Sequence, residues 1–201
     1  MSQPVLICRP GERGEALAAA LRERGESVES LNVMQLEALP ETPEMRRIWL
    51  DIDQYHKIIV ISPFAATCLS EALDRFWPQL PIGIDYYSVG SATAATLYDQ
   101  LGVRVHVPAP SAGEDTSEAL LALASLQQLG HQRILLVAGE GGRPLLAETL
   151  AERGAQVTRV AVYRRTFHPL EPALQTRLCS GNYRALIVTS SELLEHLAKW
   201  C

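Results

Sequence analysis

Residues Ile134 to Arg165, ILLVAGEGGRPLLAETLAERGAQVTRVAVYRR, decide the fold because they resemble the start of the same chain. Laid without gaps over Val5 to Met34, at an offset of 129 residues, they match an apolar run, two leucines and the triplet Glu-Arg-Gly. At an offset of 128, Tyr55 to Ser62 resembles Tyr183 to Ser190. Solenoid repeats are about 20 to 50 residues long, so this period predicts a duplicated domain.

The repeat also predicts its own continuation. Residues 134–201 correspond roughly to 5–73, so a counterpart of residues 74–129 is expected beyond Cys201. The half that contains both chain ends therefore looks incomplete at its carboxyl end. Two explanations are consistent with this pattern, a natural chain that ends early and a fragment of a longer one.

The composition is that of a soluble globular protein of one or two domains, with 47% hydrophobic and 20% charged residues. A net charge of −5 disfavours a general nucleic-acid or membrane-surface binder, because both need a large basic face. The sequence has no signal peptide pattern and no apolar run long enough to cross a membrane. The cysteines lack disulfide-framework or zinc-site spacing, so we expect reduced thiols in a cytosol at Cys8, Cys68, Cys179 and Cys201.

Short apolar runs alternate with helical patterns of about 10 to 15 residues, which indicates an α/β fold with parallel sheets covered by helices. Val5 to Cys8, a helical stripe ending at Gly25, and Val28 to Val33 form the first βαβ unit. Turn-rich residues from Leu36 to Pro43 mark a domain boundary. Thr42-Pro43 has the pattern of a helix cap followed by a first-turn proline.

Two further features lie between the repeated parts. Pro108 to Gly113 is expected to be a loop of the kind that carries function or mobility. Asp115 with Glu118 predicts a capping box for a helix that ends at Gly130.

Strand-to-helix turns are the candidate binding loops, because ligands of parallel sheets bind beyond the carboxyl ends of the strands. Small, polar and glycine residues in these turns leave backbone N–H groups free to face an anion. Five turns fit this description: Arg9-Pro10, Ser62-Pro63, Gly90 to Thr93, Gly139 to Arg143 and Thr189 to Ser191.

Each candidate also has a purely structural alternative. Gly139 to Arg143 can cradle a carboxylate with backbone donors and an arginine, or it can be only a tight turn. Tyr163 can be an interface residue or a proton donor to a substrate. Four hydroxyl residues can cap helices, bind a ligand or do both: Ser62, Thr93, Ser190 and Ser191.

In their order and spacing, the motifs resemble the uroporphyrinogen-III synthase family over the whole chain. The matching segments are Leu6 to Pro10, Val60 to Pro63, Val89 to Ala94, Gly139 to Val157, Val162 to Arg164 and Val188 to Ser190. The chain departs from the family pattern at Cys8, where threonine is usual, and at Asn32, where proline is common. It also lacks the family's final segment.

The resemblance implies two α/β domains, with parallel sheets flanked by helices, joined by a two-stranded connection. The first domain would contain residues 1–35 and 166–201 and would be truncated, and the second would contain residues 36–165. By resemblance the protein is a cytoplasmic monomer that binds neither nucleic acid nor membrane.

The activity implied by the resemblance is that of a cyclising hydro-lyase in haem and sirohaem synthesis. It closes hydroxymethylbilane to uroporphyrinogen III without a cofactor or metal, losing the terminal hydroxyl and inverting ring D through a spiro intermediate. Because the bilane closes spontaneously to the wrong isomer, the enzyme must chiefly hold a flexible polycarboxylate in one conformation.

By the same resemblance, Tyr163 is the catalytic residue and orients or protonates the leaving hydroxyl. The expected substrate contacts are Arg9, Ser62, Pro63, Ser91, Ala92, Thr93, Gly141, Gly142, Arg143, Thr189, Ser190 and Ser191.

Two other functions share parts of this pattern. A cofactor-free, two-domain protein that closes on a small anionic ligand would have the same architecture, and tight binding without isomer formation would favour it. A nucleotide-dependent Rossmann enzyme is disfavoured, because no strand carries the glycine fingerprint followed by an acidic residue about 20 positions later.

Overall fold

The computed structural model describes residues 2–109 and 116–201. The strands are β1 (Val5–Cys8), β2 (Val28–Ser30), β3 (Met34–Ala38), β4 (Lys57–Val60), β5 (Asp85–Ser88), β6 (Val105–His106), β7 (Arg133–Gly139), β8 (Gln156–Phe167) and β9 (Ala185–Val188). The helices are α1 (Glu12–Glu23), α2 (Pro43–Leu50), α3 (Pro63–Phe76), α4 (Ser91–Leu101), α5 (Ser117–Leu121), α6 (Leu145–Glu152), α7 (Pro172–Ser180) and α8 (Ser191–Ala198).

The chain divides into two compact units. The first unit contains Met1–Leu36 and Arg165–Cys201, and the second contains Glu37–Arg164. The two boundaries between the units fall within strands β3 and β8, which are neighbours in one sheet.

The first unit is built on a three-stranded parallel sheet in the order β2-β1-β9. Alternate residues of β1 pack into two different hydrophobic clusters, Leu6 and Cys8 into one, Val5 and Ile7 into the other. Because successive side chains of a strand point to opposite faces, both faces of this sheet are covered. The short apolar run at the amino terminus therefore forms a fully buried parallel strand, as predicted.

The six-stranded sheet β3-β8-β7-β4-β5-β6 belongs to the second unit, except for the residues of β3 and β8 that lie in the first. Its central strands pair in parallel, β7 with β8 and β4, and β4 with β5. Ile59, Leu136 and Tyr87 from three of these strands pack with Leu146 and Leu150 of α6 in one buried cluster. The predicted α/β class with parallel sheets flanked by helices is confirmed.

Helix starts follow the local signals. The Thr42 and Ser62 side chains accept hydrogen bonds from the backbone N–H groups of Met45 and Ala65, and a proline follows each cap. The prediction of Leu36 to Pro43 as turn-rich is wrong for its first residues, because β3 continues to Ala38 and pairs in the sheet.

The predicted helix ending at Gly130 is also shorter than expected. Helix α5 ends at Leu121 and a 3-10 turn follows at Ala124–Leu126. Thr116 caps α5 by accepting a hydrogen bond from Ala119 N–H. Asp115 of the predicted capping box lies outside the described residues, as do residues 110–113 of the predicted loop.

The expectation of four reduced thiols is wrong for two of them. Cys179 and Cys201 form a disulfide, with Cα atoms 5.3 Å apart, whereas Cys8 and Cys68 are free. The spacing of 22 residues matches no framework pattern, and it is the fold of the first unit that brings Cys179 of α7 close to Cys201, which follows α8. No helix in residues 2–109 and 116–201 is long and apolar enough to cross a membrane.

Candidate functional site

The predicted binding turns all follow the carboxyl ends of parallel strands. In the second unit, Ser62 follows β4, Gly90 follows β5, and Glu140 to Arg143 follows β7. Because β7, β4 and β5 are adjacent and parallel, the three turns lie along one edge of the sheet. In the first unit, Arg9 and Thr189 likewise follow the adjacent parallel strands β1 and β9.

Tyr163 lies in β8 and is buried, with 6% of the residue exposed. Its hydroxyl oxygen is 3.0 Å from Ser62 Oγ, which donates the hydrogen bond. Its ring packs edge to face with Phe64 at a centroid distance of 5.2 Å. Its carbonyl accepts a hydrogen bond of 2.8 Å from Glu140 N–H. The phenol, the end of β4 and the glycine turn are therefore in direct contact.

Gly139 provides the surface against which the Tyr163 ring lies. A Cβ atom at this position would be 2.6 Å from two carbons of the ring, closer than such atoms approach in real proteins. Any larger residue at 139 must therefore displace the ring or the backbone. The sequence motif contained this glycine, but its close approach to Tyr163 depends on the pairing of β7 with β8.

The rest of the glycine turn is held by a residue that the sequence analysis did not select. Gly141 and Gly142 have φ values of +74° and +86°, where a side chain is strained. The guanidinium of Arg159 donates to the carbonyls of Gly139 at 2.7 Å and Gly141 at 2.5 Å. Arg159 lies on β8, opposite Leu136 of β7, so its position in the neighbouring parallel strand is the signal that could have identified it.

Arg143 was predicted to bind a substrate anion, but it already has a partner. Its guanidinium lies 2.5 Å from a carboxylate oxygen of Glu118, and both side chains are exposed. The hydrogen bond to Arg143 is the main reason that the pKa of Glu118 is lowered, and the pKa of Arg143 is correspondingly raised. A substrate carboxylate would have to compete with Glu118 for this arginine.

The β5 to α4 turn presents its residues differently from the prediction. Gly90 is the N-cap and makes no side-chain capping bond. Ser91 is exposed and Ala92 half-buried, whereas Thr93 lies in the first turn of the helix with 3% exposure. The capping alternative is therefore wrong for Thr93.

In the first unit, Ser190 caps α8 by accepting a hydrogen bond of 3.2 Å from Leu193 N–H. Ser191 is the first residue of that helix, so the capping alternative is wrong for it. Thr189, Ser190 and Ser191 are exposed, and Arg9 is half-buried beside Gly14 of α1, where a Cβ atom would collide with the Arg9 carbonyl. These turns are accessible in the first unit.

Neither free thiol has the character of a nucleophile. Burial raises the pKa of Cys8 to about 11, and burial with the nearby Glu71 carboxylate raises the pKa of Cys68. Within the described ranges, no group of three or more His, Cys, Asp or Glu side chains is placed to hold a metal ion.

Two cavities of the second unit lie away from these turns. One of about 100 Å³ is lined by residues such as Glu41, Trp49 and Cys68, and one of about 360 Å³ by residues such as Asp74 and Trp77. Neither is lined by a predicted site residue. We base the candidate site on the turns, because Tyr163 and Ser62 are in contact there.

Comparison with known proteins gives a family match. The family model described as uroporphyrinogen-III synthase HemD matches residues 15–201. The chain belongs to the uroporphyrinogen-III synthase family. The uroporphyrinogen-III synthase of Salmonella typhimurium is 31% identical over 194 residues, covering 96% of this chain and 78% of the relative. That of Proteus mirabilis is 34% identical over 163 residues, covering 81% and 80%.

Solved structures of the family share the fold. A mutant uroporphyrinogen III synthase from the extremely thermophilic bacterium Thermus thermophilus is similar with a TM-score of 0.68 and 24% identity, covering 98% of this chain and 77% of that one. A uroporphyrinogen-III synthetase from Helicobacter pylori is similar with a TM-score of 0.58 and 14% identity, covering 100% and 79%. Membership of this enzyme family supports the synthase interpretation over a cofactor-free binding protein.

Proposed function

We propose that this chain closes hydroxymethylbilane to uroporphyrinogen III, with loss of water and inversion of ring D. The proposal is supported by the match to the uroporphyrinogen-III synthase family and by one observation in the second unit. That observation is the Tyr163 hydroxyl, held by Ser62 at the sheet edge where parallel sheets bind ligands.

Tyr163 is the proposed catalytic residue. Its phenol donates a proton to the terminal hydroxyl of the bilane, the C–O bond breaks, and the hydroxyl leaves as water. Ring closure then releases a proton that restores the phenol, so the net loss is one water molecule and no cofactor is required. Proton transfer by a positioned side chain contributes about 10²- to 10⁴-fold to a rate.

The bilane is a polycarboxylate, so the remaining contacts are proposed to be donors at the strand-to-helix turns. A helix amino terminus stabilises an exposed carboxylate by only about 0.3 to 1 kcal/mol, and several donors are therefore needed. The proposed substrate contacts are Arg9, Pro63, Ser91, Ala92, Thr93, Gly141, Gly142, Arg143, Thr189, Ser190 and Ser191, together with Ser62. Thr93 is the most buried of these residues in the second unit, whereas the exposed ones are Pro63, Ser91, Gly141, Gly142 and Arg143.

The monomeric state and the cytoplasmic location implied by the family resemblance are part of the same proposal. In a reducing cytoplasm the Cys179–Cys201 bond would be open, so the proposal requires the dithiol form to be active. Light scattering after size-exclusion chromatography tests the monomer.

The test of the function is the identity of the product. Freshly made hydroxymethylbilane is incubated with the protein under reducing conditions, and the type I and type III isomers are separated and counted. Enzyme-dependent formation of type III supports the proposal. Tight binding of the bilane, with type I as the only product, would instead favour the binding-protein alternative.

A further inference from the structure

Ser62 occupies a position between a helix end and the phenol of Tyr163. Its Oγ atom accepts a hydrogen bond of 3.2 Å from Ala65 N–H, which caps α3. The same atom lies 3.0 Å from the Tyr163 hydroxyl oxygen. Ser62 Oγ has one proton, and in its hydrogen bond with Tyr163 the serine is the donor.

The direction of this bond decides what the phenol can do. A phenolic hydroxyl has one proton and can also accept hydrogen bonds. When its oxygen accepts the Ser62 proton, its own proton is left for another acceptor. A phenol that instead donated to Ser62 would have to break that hydrogen bond before it could donate to a substrate.

Two further contacts keep the phenol in place. The edge-to-face contact with Phe64 and the close approach to Gly139 restrict the ring on two sides. With the ring fixed in this way, the Ser62 hydroxyl reaches the phenol oxygen from a helix cap whose own position is set by α3.

We infer that Ser62 is a positioning residue for Tyr163, which holds the phenol oxygen as an acceptor and so leaves the phenolic proton for the leaving hydroxyl. This inference rests on the proposed function. It replaces the direct substrate contact proposed above for Ser62 with a role through Tyr163.

The chain offers a matched control for the capping role. Thr42 caps α2 in the same unit, accepts a hydrogen bond of 3.1 Å from Met45 N–H, and is followed by a proline as Ser62 is. Within the described residues, Thr42 makes no hydrogen bond to Tyr163. Thr42→Ala therefore removes a cap alone, whereas Ser62→Ala removes a cap and the bond to the phenol.

The experiment measures kcat and KM for type III formation in wild type, Ser62→Ala, Ser62→Thr and Thr42→Ala. We expect Ser62→Ala to lower kcat about tenfold at unchanged KM, the effect of one hydrogen bond. Ser62→Thr keeps the hydroxyl and should restore most of the rate. Thr42→Ala should leave both constants unchanged, while its loss of thermal stability is similar to that of Ser62→Ala.

A double-mutant cycle with Tyr163→Phe completes the test. Ser62→Ala should have no further effect on kcat once the phenol hydroxyl is absent. The same loss in both backgrounds, a raised KM at unchanged kcat, or an equal loss in Thr42→Ala would each overturn the positioning role, even if wild type makes type III. A wild type that makes only type I would overturn the proposed function as well.

A spectroscopic measurement tests the bond without turnover. The ¹³Cζ resonance of Tyr163, assigned with Tyr163→Phe, should shift in Ser62→Ala and stay near its wild-type position in Ser62→Thr and Thr42→Ala. An unchanged resonance in Ser62→Ala would show that Ser62 does not donate to the phenol.

Discussion

Two strand-to-helix turns of this chain are related by the internal repeat, yet only one contains a candidate reaction site. Ser62 after β4 and Ser190 after β9 are separated by the repeat offset of 128 residues. Each caps the following helix by accepting an N–H at 3.2 Å. Ser62 also contacts Tyr163, whereas the first-half counterpart of Tyr163, at the offset of 129, is Met34.

The two turns share their structural residues but differ in the residues that could take part in a reaction. A thioether cannot donate a proton, and Met34 instead packs beside the buried apolar cluster of the first unit. The counterpart of Gly139 is Pro10, and that of Arg159 is Ser30. Both halves of the repeat therefore have the strand, the turn and the helix cap. Tyr163, Gly139 and Arg159 have no equivalent residues in the first half.

The largest expected effect comes from changing the two repeat-related positions separately. Tyr163→Phe removes the proton donor, so kcat for type III formation should fall by about 100-fold or more. Met34→Leu conserves volume in a partly buried site and should change turnover by less than about twofold. Equal rates in the two variants would contradict the assignment of the reaction to the second unit.

The next largest effect on kcat is expected at Gly139, against which the Tyr163 ring lies. Gly139→Ala places a methyl group 2.6 Å from two ring carbons, so the ring or the backbone must move and the phenol leaves its present position beside Ser62. A displacement of about 1 Å can cost up to about 100-fold in rate, and we expect a loss of roughly 10- to 100-fold in kcat.

Gly130→Ala is the control for Gly139→Ala, because a Cβ atom there meets nothing within 4 Å. Its turnover should remain at the wild-type value. If Gly139→Ala also retained full activity, the close approach of the ring to the backbone would have no part in catalysis.

A smaller effect, in the opposite direction, is expected at the ion pair beside the glycine turn. Glu118→Gln removes the carboxylate that occupies Arg143 and leaves the guanidinium for the substrate. KM should fall by a few-fold at constant kcat, since only ground-state binding changes. Because the pKa of Glu118 is lowered, the pair is fully ionised at neutral pH, and the effect should be the same from about pH 6 to about pH 8. A rise in KM would mean that Glu118 positions Arg143 for the substrate.

The disulfide should have the smallest effect on turnover. Reduction of Cys179–Cys201 opens a loop of 22 residues in the first unit and should lower the free energy of unfolding by roughly 3 kcal/mol on the chain-entropy model. The rate of type III formation should not change at room temperature, because neither cysteine is in the turns that contain the candidate site.

Thermal unfolding with and without reductant tests this prediction, with Cys179→Ser as the variant in which reductant should have no effect. A melting temperature that reductant leaves unchanged in wild type would show that the bond does not stabilise the folded chain.

The parts of the fold that could be predicted are those set by local sequence. The β1 and β7 strands are continuous apolar runs, and the caps at Thr42 and Ser62 are signalled by a hydroxyl residue followed by proline. The repeat then related the two halves without any knowledge of the structure. Once the strands and helices were assigned, the strand-to-helix turns could be predicted as the candidate binding loops.

The contacts that give the site its character could not be predicted, because they join residues far apart in the chain. Ser62 and Tyr163 are 101 positions apart, and Arg143 and Glu118 are 25 apart. Each pair meets only through the arrangement of strands in the sheet or of helices beside it. The same is true of Cys179 and Cys201, whose spacing in the sequence does not predict that they form a disulfide.

The most direct test of the proposed synthase activity is a titration of hydroxymethylbilane with increasing wild-type protein, followed by isomer analysis after a single turnover. With protein in excess over substrate, spontaneous closure to type I has the least time to compete. We expect the type III fraction to rise with protein concentration until type III is the main product, and we expect Tyr163→Phe to abolish the rise. Type I as the sole product at every wild-type concentration would contradict the proposed synthase activity.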